Sequence, residues 1–134
     1  MSKSLIQTAN QSQQTVAVGS NISLGSVLRR FGCNCRLSGN AIEIDGEGYY
    51  EIDAAVTLTP NAVGNVSVAV LKDGVVIPGA VAVGSVTTAG NSVTLPLITT
   101  VRKGCGCEGA SSIAFTLVSG ASVVNNVSVR ITKS

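Results

Sequence analysis

Gly48-Tyr-Tyr-Glu-Ile-Asp-Ala-Ala-Val-Thr-Leu-Thr59 alternates along its whole length. Tyr50, Ile52, Ala54, Val56 and Leu58 fall on one side, and Glu51, Asp53, Thr57 and Thr59 fall on the other. Successive side chains of a strand point to opposite faces, so this is a strand with one face in a core and one in water. Pro60-Asn61 ends it. Working outward, Ala41-Ile-Glu-Ile44 alternates before Asp45-Gly46, and Val66, Val68 and Val70 share a face ahead of Lys72-Asp73-Gly74. Asp-Gly favours the twisted two-residue hairpin turn. Further strands are read at 75–77 and 81–87, either side of Pro78-Gly79. In 92–101, Val93, Leu95, Leu97, Thr99 and Val101 share one face. Pro96 opposes them and marks an edge strand or a bulge. Ile113, Phe115 and Leu117, then Val127, Val129 and Ile131, complete the series.

Thr15–Val18 is a short run, and 26–31 has room for one helical turn between Gly25 and Gly32. The total is about ten short strands at regular spacing, the pattern of an all-β antiparallel sandwich or barrel. Residues 15–134 read as one domain, and the polar leader 1–14 reads as a flexible arm.

Composition narrows the function. The chain has 134 residues, 45% hydrophobic, 12% charged and 3% aromatic, with net charge +2 and no histidine or tryptophan. The absence of histidine removes the commonest general base and every Ser-His-Asp, Cys-His or histidine-bearing zinc arrangement, so no enzyme is expected. The net charge is too small for a nucleic-acid partner. No window matches a membrane helix, and 1–14 lacks the apolar region of a signal peptide, so synthesis in the cytoplasm is expected. The sequons at Asn10, Asn21, Asn65 and Asn126 are then chance. A free domain usually carries about 25% charged residues. The uncharged surplus calls for burial against identical subunits.

The segment 39–58, with a short strand, a Gly-bearing turn, Gly48-Tyr49-Tyr50 and alternating apolar residues, resembles the tumour necrosis factor-like superfamily. That group includes the globular heads of the first complement component. The hairpin at Lys72-Asp73-Gly74 and the strand of 93–104 are similar to the next elements of that family, so the likeness spans about residues 39–131. The resemblance implies an antiparallel jelly roll of about ten strands, assembled as a homotrimer. Tyr49, Tyr50 and Phe115 are then core and trimer packing. It also implies a structural or adhesive head. With no signal peptide and no collagen-like stalk, the expected setting is a tailed-phage virion, as capsid decoration or head-fibre tip, attached to another structural protein. The alternative is a glycan- or receptor-binding head on a phage, bacterial or spore surface.

Two matched motifs remain, Gly32-Cys33-Asn34-Cys35 and Gly104-Cys105-Gly106-Cys107. In extended chain, each pair points two sulfurs the same way. The resemblance places both loops at one end of the roll. Two disulfides, a four-thiolate zinc site and free thiols all stay open. A cross-link closing so long a loop is worth roughly 4 kcal/mol, whereas Cys-x-Cys is a tight spacing for one zinc. Otherwise no cofactor is expected. Arg29, Arg30, Arg36, Arg102 and Lys103 flank these motifs and form a candidate basic rim for an acidic partner or an anion. Glu43, Asp45, Glu47, Glu51 and Asp53 cluster as well. Glu51 and Asp53 share a strand face and read as its polar outer side rather than as a calcium or glycosidase pair.

Overall fold

A computed structural model of the chain describes residues 4–88, 90–104 and 110–133. Among these, eleven strands form: β1 Ser4–Asn10, β2 Gln14–Val16, β3 Ser26–Phe31, β4 Cys35–Ser38, β5 Ala41–Ile44, β6 Gly48–Pro60, β7 Gly64–Lys72, β8 Val75–Val86, β9 Val93–Lys103, β10 Ser111–Ser119 and β11 Ser122–Lys133. They pair into two antiparallel sheets. The first runs β3-β1-β11-β6-β9, with β2 also on β11. The second runs β4-β5-β10-β7-β8. The chain passes from one sheet to the other at β3→β4, β5→β6, β6→β7, β8→β9, β9→β10 and β10→β11. Each connection therefore packs one sheet on the other, which is how a jelly roll encloses its core.

The alternation in β6 is the alternation in space. Tyr50, Ile52, Val56 and Leu58 are fully buried, and Ala54 is nearly so. They face Val66, Val68 and Val70 of β7 and Phe115 and Leu117 of β10 in a single apolar cluster. β11 carries a register shift between Val124 and Asn126. The extra residue lets Val124 and Val127 both reach the core, an odd spacing that a regular strand forbids. β9 lies at the edge of its sheet, where Pro96 is tolerated.

Three expectations are corrected. Residues 26–31 are a strand, not a helical turn, and all six side chains are exposed. Residues 4–10 are not a flexible arm. They form β1, inserted between β3 and β11 with Ser4, Ile6 and Thr8 buried. The two runs either side of Pro78-Gly79 are one strand, β8. Its pairing with β7 shifts register between Ala69 and Leu71, and this absorbs the proline.

Candidate functional site

The end of the sandwich bearing the first cysteine motif is built from several elements. Ser4 of β1 sits opposite Lys133 of β11, Lys133 opposite Tyr50, and Gly48 opposite Lys103. In the second sheet, Ile44 sits between Cys35 and Ser111. Side chains tie these ends together. The Tyr50 hydroxyl bonds the carbonyls of Asp45 and Gly46 at 2.7 and 2.8 Å. Asn34 donates its Nδ2 to the Asp45 carbonyl at 2.7 Å and accepts from Ser4 Oγ at 2.6 Å.

Gly32 has φ 78, so the chain turns there instead of running extended. As a result Cys33 is exposed while Cys35 is buried, and the two sulfurs do not share a side as expected. Both are free thiols. Burial pushes the Cys35 thiol up to about 11, with Arg30 and Lys133 pulling the other way. Cys105 and Cys107 lie outside the described residues. The flanks of their segment, Lys103 and Ser111, end at the same pole as Cys35.

The basic rim is rearranged. Arg29 and Arg30 are exposed on β3, and Arg30 Nε donates to the Cys35 carbonyl at 2.8 Å. Arg36 is held by Glu43 at 2.5 Å. Arg102 is exposed, but Lys103 is fully buried and is no part of a rim. Tyr50 and Phe115 are core residues as expected, whereas Tyr49 is 58% exposed and packs in no core of this chain. Asp53 pairs with Arg130 across the sheet, and Glu51 is exposed on the same face. Among the described residues no group of three metal-ligating side chains occurs.

Two surfaces that the sequence did not point to are more distinctive. The outer face of the first sheet is small and neutral where Ala9, Ser128, Ala55 and Pro96 lie in successive register. A hollow of about 350 Å³ opens there between Gln7, the Asp53–Arg130 pair and Ile98. Ile98, on edge strand β9, is 75% exposed. The second surface is a groove of about 280 Å³ at the seam between the two sheets. It is lined by Val75, Val76, Ile77 and Pro78 of β8 and by Thr100 and Val101 of β9, with Lys72 and Arg102 beside them. Period-two reading assigns a face to each residue, and Pro96 points to an edge or a bulge, but neither says which strand edges of the two sheets become neighbours. That is why both surfaces escaped it.

No family model and no curated protein sequence matches the chain. Solved structures do. Murine APRIL superposes with a TM-score of 0.77 at 11% identity, covering 99% of this chain and 100% of that one. The globular domain of zebrafish complement 1qA gives 0.70 at 7%, over 96% and 94%. The PRD1 vertex protein gives 0.57 at 14%, over 97% and 96%. The chain folds as a tumour necrosis factor-like jelly roll. At such identities the likeness carries the architecture and not the activity. Within this tumour necrosis factor-like roll, β8 and β9 are the neighbouring edges of the two sheets, and both candidate surfaces adjoin β9.

Proposed function

We propose that this protein is a non-enzymatic structural head that works as a homotrimer, serving as a virion component of a tailed phage in a capsid-decoration or head-fibre role. The observation that carries the reading is the outer face of the first sheet. An aliphatic side chain 75% in water stands beside a hollow walled by alanine, serine and proline and bounded on one side by Gln7 and the Asp53–Arg130 pair. A monomer gains nothing from that arrangement. A second copy, turned about an axis, buries Ile98 and covers the small residues, and three copies close the ring. The low charge of the chain, 12% of residues, supports the same conclusion. The likeness to a vertex protein supports a place on a particle. The absence of histidine and the pairing of Glu43 and Asp53 with arginines support a role without turnover.

Native mass spectrometry tests this directly. The wild-type chain of 13.5 kDa is expected at three times its mass. Ile98→Asp is expected to yield folded monomer, because an ionised carboxylate is costly inside an apolar contact. A wild-type chain that stays single at high concentration overturns the proposal.

A further inference from the structure

The seam groove has three properties that no part of the trimer reading uses. Its floor is aliphatic: Val75 is 69% and Val76 is 44% exposed, and Ile77, Pro78 and Val101 continue the surface. Its polar groups are of one sign. Lys72 and Arg102 line it, no acidic residue does, and among the described residues neither cation has a carboxylate within ion-pair distance. Lys72 is held in place, its Nζ donating to the Arg102 carbonyl at 3.1 Å. An ammonium has three N–H groups, so that bond leaves two to spend. Finally, the groove lies between two strand edges. Among the described residues β8 pairs only with β7 and β9 only with β6, so each has an outer side without a strand partner.

We infer that this groove binds an extended segment of a partner protein in which aliphatic and acidic residues alternate. Side chains of an extended segment point alternately to two sides. One set meets the Val75–Pro78 floor while the other reaches Lys72 and Arg102, and the segment's backbone bonds the open edge of β8 or β9. Charge complementarity selects the sign of the segment. A basic or neutral one finds the same apolar floor but no answering charge. The inference goes beyond the proposed trimer and stands or falls separately from it.

The probes are two blocked heptapeptides, one alternating valine with aspartate and the other alternating valine with lysine. Each is titrated into the full-length protein while amide shifts are followed by NMR and mass is followed in the native spectrometer. The aspartate peptide is expected to bind about tenfold or more tighter than the lysine peptide, two exposed charge pairs supplying the difference. Its shifts should map to Val75, Val76, Ile77 and Val101. Arg102→Glu, at an exposed position on β9, is expected to erase the preference, and adding Lys72→Glu should reverse it. Equal affinity for the two peptides, or shifts that map away from the seam, overturns the inference. So does a wild-type oligomer whose seam is silent to both peptides and which Arg102→Glu breaks into monomers, for then a second copy fills the groove. That last result would leave the trimer standing, whereas a monomeric protein that still selects aspartate would uphold the groove and sink the trimer.

Discussion

Tyr50 closes one pole of the sandwich from the inside. Its ring is in the core and its hydroxyl bonds two carbonyls of the turn that precedes its own strand. Burial raises it from 10.0 to about 12, with Cys35 and Asp45 adding to the rise. Cys35, raised from 9.0 to about 11, is a neighbour in the same corner. Both groups are neutral when protonated, and the unfolded chain gives up both protons more readily than the folded one. Their stabilising contribution is therefore complete below the unfolded values. It falls as pH rises from about 9 and is lost by about 12. Urea midpoints measured from pH 8 upward should be level at first and then decline. Tyr50→Phe should lose about 1 kcal/mol at neutral pH, because the part-buried bonds from its hydroxyl to the Asp45 and Gly46 carbonyls are gone, and its alkaline decline should be shallower. An unchanged midpoint at pH 8 would show that water replaces the hydroxyl at no cost. At this scale the sequence was a fair guide to Tyr50 and Phe115, whose faces follow from strand period. Tyr49, one position out of phase with Tyr50, stands outside this chain's core and is left to the proposed trimer contact. Lys103 was misjudged, because its burial depends on the far ends of three strands meeting.

Elements differed in how openly they announced themselves. β6, β7, β9, β10 and β11 each carry a row of large apolar side chains at every second position, the mark of a strand with one face on the core. β1 and β3 do not follow it. β1 buries Ser4 and Thr8 beside Ile6, so its core face reads as polar. β3 buries nothing, so Ser26-Val-Leu-Arg-Arg-Phe31 has no period to detect. Its structure comes from pairing with β1 and from Gly25, whose φ of 78 and contact with the Ala9 carbonyl leave no room for a Cβ. The first cysteine motif failed for a related reason, since the turn at Gly32 outweighed the extended geometry assumed for it. Deleting residues 1–10 tests the role assigned to β1. The truncated chain is expected to lose cooperative thermal unfolding, because β3 loses the one strand it pairs with among the described residues and Ile6 leaves the core. A truncated chain with the wild-type melting curve would return 1–10 to the status of an accessory arm.

The whole molecule is polarised. No charged residue occurs in 4–28, 54–71, 74–101 or 110–129. In the first sheet the charged positions therefore stop at the row of Arg29, Gln7, Arg130, Asp53 and Ile98. Beyond that row lie Thr57, Thr94, Thr59, Ser92 and Asn125, bonded to one another through hydroxyls and an amide. Composition alone foretold a shortage of charge. Only the register shows that the shortage is confined to one end. The adjacency of Ser4 and Lys133 at the charged end makes the covalent order of the strands negotiable. A short glycine linker can join Lys133 to Ser4, while the chain is cut between Ala62 and Val63, in the exposed connection of β6 to β7. Such a permuted polypeptide should fold to the same roll with a circular dichroism spectrum matching the parent. It would carry its new ends on the neutral pole, so that cargo fused there points the opposite way from cargo fused to the parent.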